Sequence, residues 1–156
     1  MKKKIVAWFL LFAMMIALVP AGSVQAATYK KGSKGTNVMY LQQNLSFLGF
    51  SAGKADGDFG NNTRKAVLSL QKAVHMEETG IVDDELDALI KGTVADIQRY
   101  LAYKGYYKGE IDGIKGNATG TAYKKLEKNL GLKQTGVVSI SVLEKIMADK
   151  NSNLEM

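Results

Sequence analysis

Between Val38 and Met147, apolar residues recur in short runs at intervals of three and four, the spacing of one helix face. Val38, Leu41, Leu45 and Leu48 form the first run, with Asn37 ahead of it as an N-cap and Gly49 behind it as a stop. Ala66, Leu70 and Val74 form the second run, and Leu86, Leu89 and Ile90 the third, capped by Asp83. The same three runs then return as Val94, Ile97 and Leu101, as Ala122, Leu126 and Leu130, and as Val142, Ile146 and Met147. Thr93 and Ser139 take the capping places, Thr93 with Asp96 resembles a capping box, and Gly105 repeats the stop. The pattern predicts an all-α chain of two tandem three-helix bundles.

A shift of 56 positions lays residues 38–90 on residues 94–146 without a gap. Identical pairs fall into two kinds. Gly49/Gly105, Gly53/Gly109, Asp56/Asp112, Gly57/Gly113, Gly60/Gly116 and Thr79-Gly80/Thr135-Gly136 are turn punctuation, whereas Val38/Val94, Leu45/Leu101, Ala66/Ala122 and Ile90/Ile146 are periodic apolar positions. Gln42/Gln98, Asn61/Asn117 and Thr63/Thr119 also match. This is an internal duplication. It divides the chain into repeat 1 at 34–91 and repeat 2 at 92–148, with a polar linker at 27–33 and a polar tail at 149–156, both expected to be mobile. A unit of this size without staples lies near the lower limit for a domain. Only Lys91 and Gly92 separate the third helix of repeat 1 from the first helix of repeat 2. The two bundles are therefore expected to touch at a fairly fixed angle.

Ahead of the repeats, Lys2, Lys3 and Lys4 precede an apolar run from Ile5 to Val19, and Val24-Gln25-Ala26 supplies small residues at a cleavage site. Residues 1–26 read as a secretory signal peptide. The run is 15 residues long, short of the ~20 that span a bilayer. The chain has no Cys, so the exported protein folds without disulfides and cannot carry a lipid on a cysteine. Net charge is +6 for the whole chain and falls to +3 once the three signal lysines are removed. That balance argues against nucleic acid as a partner, and against membrane binding after signal cleavage. Its distribution is uneven: residues 34–90 carry 5 basic and 8 acidic groups, residues 91–147 carry 10 and 5.

The loops "KADGDFGNNTRKAV" and "EIDGIKGNATGTAY" carry aspartates that invite a calcium reading. Counted from Asp56, however, position five is Gly60 and position twelve is Val67; in repeat 2, position three is Ile114 and position twelve is Tyr123. A calcium loop needs oxygen ligands at alternate positions and a bidentate carboxylate at the twelfth. What both loops keep is Asp-Gly followed by Gly-Asn-x-Thr, which suits a turn whose carboxylate accepts backbone N–H groups and whose glycine takes positive φ. Asp56, Gly57, Gly60, Asp112, Gly113 and Gly116 are thus assigned to loop structure, and no metal and no cofactor are expected.

"LQQNLSFLGFSAGKADGDFGNNTRKAVLSLQ" and "IQRYLAYKGYYKGEIDGIKGNATGTAYKKLE" both resemble the type 1 peptidoglycan-binding domain. Its pattern is a Leu-Gln helix, Leu-Gly-Tyr/Phe, Gly, Asp-Gly-x-Phe-Gly, Thr, Ala-Val and Phe-Gln. The resemblance covers residues 34–147. It implies small three-helix bundles that bind bacterial cell wall and are commonly appended to wall-lytic enzymes. Repeat 2 departs from the pattern at Ile114-Lys115 and at Leu126-Glu127, and repeat 1 has Leu70-Gln71 in place of Phe-Gln. Those departures bear on core packing and predict unequal affinity of the two repeats.

Catalysis has little to stand on. A zinc amidase needs three protein ligands, and the chain has one histidine, His75, at a helix end where the other repeat has Gly131. The cluster Asp83, Asp84, Glu85 and Asp87 lies at a helix start and favours its dipole. It becomes Ser-Ile-Ser-Leu in repeat 2, which does not suit paired glycosidase carboxylates. The flanking segments are expected to leave no room for a catalytic domain. Binding chemistry survives. Wall polymers present apolar sugar faces, amides and stem-peptide carboxylates, which aromatic rings and Lys, Arg or Asn can meet. Repeat 2 offers Tyr103, Tyr106, Tyr107, Lys108 and Asn117; repeat 1 offers Phe50, Asn61 and Arg64. Tyr106 and Phe50 are expected mainly in packing, and Tyr107 and Lys108 in ligand contact. The sequence thus reads as a secreted, non-catalytic binder of bacterial peptidoglycan. An exported accessory protein that docks a cell-wall hydrolase or a surface or spore layer is the alternative; a lytic enzyme comes third.

Overall fold

The computed structural model describes residues 29–154, so the signal-peptide expectation lies outside the described residues. Five helices follow in order: α1 Thr36–Phe47, α2 Asn61–Ala73, α3 Asp84–Tyr103, α4 Asn117–Asn129 and α5 Ile140–Leu154. The described residues are all-α, with isolated bridges between Tyr29 and Val82 and between Lys34 and Asp58. Each repeat has three helical segments, as the periodicity predicts, but they are distributed over five helices because one is shared.

The shared element is α3. Lys91 and Gly92 do not break the chain; the third helix of repeat 1 runs straight into the first of repeat 2. Gly92 inside a helix costs ~1 kcal/mol, but Leu86, Ile90, Val94, Ile97 and Leu101 keep one continuous buried face across the junction. Thr93 therefore caps nothing. It lies inside α3, and its hydroxyl donates to the Leu89 carbonyl at 2.7 Å. Asn37 is likewise not a cap, since Gly35 holds that place and α1 begins at Thr36. Asp83 does cap α3, accepting from the Leu86 N–H at 2.9 Å.

Two buried glutamines hold the Asp-Gly loops against the bundles. Gln42 Oε1 accepts the Gly57 N–H at 2.9 Å, while its Nε2 lies within donating distance of Asp56 Oδ1, the Asp58 carbonyl and Thr63 Oγ1. Gln98 repeats this with the Gly113 N–H, Asp112 Oδ1, the Ile114 carbonyl and Thr119 Oγ1. Asp56 and Asp112 each also accept the N–H two residues on, at 3.0 and 2.9 Å. The Asp58 N–H and Gln42 together hold the Asp56 carboxyl below its usual range. Gly57 and Gly113 take φ of 80° and 71°. A Cβ on Gly113 would lie 2.6 Å from the Lys91 carbonyl, so glycine is required there twice over.

Each repeat has an open edge beside this loop, and the two edges are closed differently. On repeat 1, Tyr29 exchanges backbone hydrogen bonds with Val82 at 2.8 and 2.9 Å, and Ser33 accepts the Phe59 N–H at 2.9 Å. On repeat 2, α1 of the first repeat closes the matching edge. The Phe47 carbonyl accepts the Val138 N–H at 2.7 Å. Asn44 donates to the Gly113 carbonyl and accepts the Lys115 N–H, at 2.9 and 2.8 Å. Phe47 meets Tyr123 edge to face at a centroid separation of 5.2 Å. Burial pushes the Tyr123 phenol up to about 12. The bundles therefore share one buried core and do touch, as the short junction predicts.

The described parts of both flanking segments make contacts with the repeats. The segment from Tyr29 onward is the edge closure just described, with Tyr29 packed against the core. At the other end α5 continues to Leu154, past the expected boundary at 148. Asp149 accepts from the Tyr100 hydroxyl at 2.8 Å and pairs with Lys104 and Lys145 at 2.7 and 2.8 Å. Those cations and the phenol hold its carboxyl far below the usual range.

His75 is exposed and carries φ of +58°, where its counterpart Gly131 has φ of +69°. A left-handed non-glycine residue costs roughly 1–2 kcal/mol, and glycine's extra unfolded freedom returns ~0.5–1 kcal/mol. His75→Gly is expected to stabilise the protein by about 0.5–1 kcal/mol. An unchanged or lower urea midpoint for that variant would contradict the strain.

Candidate functional site: a cleft on repeat 2

The loop after α3 and one face of α4 flank a shallow, open cleft of about 670 Å3. Gly105, Tyr106, Tyr107, Lys108 and Gly109 line one wall; Ala118, Thr121, Ala122 and Lys125 line the other. The α4 residues are spaced i, i+3, i+4 and i+7, so a single helix face supplies the wall. Gly116 at the N-cap and Asn117 at the first helical position set that face toward the loop.

The candidate residues sort out unevenly. Lys108 is exposed at the cleft. Tyr107, expected to contact ligand, is instead 8% exposed and belongs to the core. Its hydroxyl donates to the Glu110 carbonyl at 2.7 Å and lies 3.3 Å from Gln98 Nε2. The ring thus braces the Gln98 network and shows the cleft only part of its surface. Tyr106 is half-buried against the core, and its hydroxyl bonds the Asn129 amide, which orients the ring at the rim. Tyr103 is 67% exposed, with Lys104 Nζ 5.3 Å from its ring centroid, and does not line the cleft. Asn117 is exposed but also outside the lining. Thr121, Lys125 and Ala118 were not singled out by sequence; the α4 periodicity combined with the basic excess of repeat 2 points to Lys125.

The matching surface of repeat 1 is built differently. Asn62 stands where repeat 2 has Ala118, and its side chain lies against Gly53, with the amide nitrogen 3.2 Å from where a Cβ would sit. Val137 and Val138 of repeat 2 come within 4.0 Å of a Cβ placed on Gly49, whereas a Cβ on Gly105 would meet nothing within 4 Å. Phe50 is half-buried on the core and Asn61 is exposed at the start of α2. Arg64 lies over the Thr79-Gly80 turn, so close that a Cβ on Gly80 would stand 2.9 Å from its Nε. Phe50 thus packs on the core, Asn61 opens α2 and Arg64 covers the Thr79-Gly80 turn.

Electrostatics favour the same side. Neither Lys108 nor Lys125 takes part in an ion pair among the described residues. Among those residues, no group of three or more His, Cys, Asp or Glu is placed to hold a metal ion.

Comparison with known families adds to this geometry. A family model described as "Putative peptidoglycan binding domain" matches residues 34–89 and again 91–146. The chain belongs to this peptidoglycan-binding family. The two matches abut inside α3, so the family unit is repeated with one helix shared. Among curated relatives, the chain is 33% identical over 156 residues to a probable N-acetylmuramoyl-L-alanine amidase of Bacillus licheniformis, covering 76% of this chain and 44% of that protein. It is 33% identical over 93 residues to a type VI secretion system spike protein of Vibrio cholerae, covering 56% and 9%. It is 32% identical over 84 residues to a spore cortex-lytic enzyme of Halalkalibacterium halodurans, covering 54% and 26%. The chain thus spans less than half the length of these relatives. No solved structure matches it.

Proposed function

We propose that this protein is exported and binds bacterial peptidoglycan without cleaving it, retaining itself or a partner on the wall through the cleft of repeat 2. The observation that carries the reading is the cleft itself, open on the more basic copy of a peptidoglycan-binding unit and flanked by Lys108 and Lys125. The matching place in repeat 1 holds Asn62 against Gly53, and at its Gly49 end it comes near Val137 and Val138 of repeat 2. Export follows from the basic and apolar pattern of residues 1–26. Among the described residues no helix is long and apolar enough to cross a membrane.

A second reading has its own support. The relatives named as an amidase and a cortex-lytic enzyme contain this unit as a minor part of a longer protein. The chain would then bring a separate hydrolase to the wall, and both readings need wall binding.

Both halves of the proposal are tested by incubating purified protein with insoluble peptidoglycan at low and moderate salt. Retention that weakens with salt is expected, because exposed lysines are screened. No soluble reducing ends or free amino groups should appear. Protein that stays in the supernatant would defeat the binding reading, and steady fragment release would defeat the non-catalytic one.

A further inference from the structure

We infer that the repeat 2 cleft recognises a free carboxylate of a short wall peptide, with Lys108 and Lys125 as its cationic jaws and no sugar ring seated between them. The inference rests on the wall-binding reading above and names the ligand class for the same site.

Sugar recognition through stacking needs an aromatic face open to solvent. The cleft offers little of one, since its two lining rings are the half-buried Tyr106 and the buried Tyr107. Tyr107 is turned into the core by its bonds to Glu110 and Gln98, and Tyr106 is fixed at the rim by Asn129. Tyr103, the most exposed aromatic of this repeat, is not in the lining. What remains is small: Gly105, Gly109, Ala118 and Ala122 keep the walls low, so an extended peptide backbone can approach closely. Thr121 supplies one hydroxyl able to donate or accept.

Charge completes the case. Lys108 comes from the loop wall and Lys125 from the helix wall, so each side of the opening contributes one lysine. Ammonium-to-carboxylate hydrogen bonds are stronger than neutral ones, and a carboxylate offers two acceptor oxygens. In repeat 1 the corresponding positions are Ala52 and Ser69, neither of them cationic. A carboxylate therefore has a cationic seat in repeat 2 with no equivalent in repeat 1.

The test uses the full exported chain, residues 27–156, labelled with nitrogen-15 for NMR titration. Three probes are compared: the stem pentapeptide L-Ala-γ-D-Glu-L-Lys-D-Ala-D-Ala, the same peptide with both its D-Glu α-carboxyl and its C-terminal carboxyl converted to carboxamides, and chitotetraose. The free-acid peptide is expected to shift amides of Tyr107–Gly109 and Ala118–Lys125. The carboxamide, and the free acid with a Lys108→Ala/Lys125→Ala variant, should each bind about tenfold more weakly. Equal binding of acid and carboxamide overturns the inference. So does chitotetraose shifting those amides in place of the peptide, or no probe shifting them. Retention on insoluble peptidoglycan, measured in parallel, separates the two claims. Retained protein with a cleft indifferent to the carboxylate defeats this inference alone, whereas unretained protein defeats the wall-binding reading beneath it.

Discussion

Gln98→Leu is expected to destabilise the protein by about 2–3 kcal/mol, on the scale of ~1–3 kcal/mol per stranded buried polar group plus the weaker loss at groups that keep a partner. The side chain is fully buried, and leucine fills nearly the same space, so the loss is of hydrogen bonds more than of packing. The Gly113 N–H loses its acceptor and the Thr119 hydroxyl loses a donor, whereas the Ile114 carbonyl loses one donor and keeps the Gly116 N–H at 2.9 Å. Asp112 Oδ1 keeps the Ile114 N–H, which limits the damage on that side. The Gly113 carbonyl and Lys115 N–H are also where Asn44 joins the two repeats, so a loosened loop weakens the junction as well. For a protein whose total stability falls in the usual range of ~5–15 kcal/mol, this is a large fraction. Urea unfolding followed by circular dichroism measures it. A loss below about 1 kcal/mol, the net worth of one ordinary hydrogen bond, would show that the glutamine does not hold the loop.

Phe47→Ala should cost about 3–5 kcal/mol, the usual penalty for removing a buried aromatic ring. Phe47 is 2% exposed and lies edge to face with Tyr123 across the junction between repeats. The shift of 56 positions places Tyr103 at the matching point of repeat 2, where it is exposed. Tyr103→Ala should therefore cost about 1 kcal/mol or less, the scale of an exposed cation–π contact with Lys104. The pair of variants compares one repeat position in two environments. Equal losses in unfolding free energy would mean that the junction contributes no stability. The shared helix adds a practical corollary: cutting the chain between Lys91 and Gly92 divides α3 in its middle, so the repeats cannot be compared as separate fragments.

Features dictated by local chemistry were legible in the sequence. The Asp-Gly turns, the helix starts at Asn61 and Asn117 and the Asp83 cap depend on a few neighbouring residues, and the duplication exhibited the turns twice. The fused helix was misread because Gly92 and Thr93 carry the local marks of a boundary. The unbroken stepping Ile90, Val94, Ile97, Leu101 outweighed them, since burial along one face exceeds the cost of one interior glycine. Tyr107 packs in the core against the expectation of ligand contact because Gly105 ends the helical period, and beyond it adjacent side chains have no facing that sequence alone can fix. Gln98 stood out as a repeated residue, yet its role depends on where the Asp-Gly loop returns in space. The cleft was hidden for a different reason. It arises where the repeats differ, at Ala118 against Asn62 and Lys125 against Ser69, and matching the copies draws attention to what they share.

That difference also supplies the most direct test of wall recognition by the repeat 2 cleft. Ala118→Asn places in the open cleft the residue that repeat 1 carries at the same position. Asn62 is tolerated at the second position of α2, so the change should leave folding within about 0.5 kcal/mol, as for surface substitutions generally. Retention on insoluble peptidoglycan at low salt is the quantity to measure, with Asn62→Ala as the matched control. The account predicts that Ala118→Asn lowers apparent affinity about tenfold or more, equivalent to ~1.4 kcal/mol, while Asn62→Ala leaves it undiminished. Wild-type retention by a folded Ala118→Asn protein would contradict it.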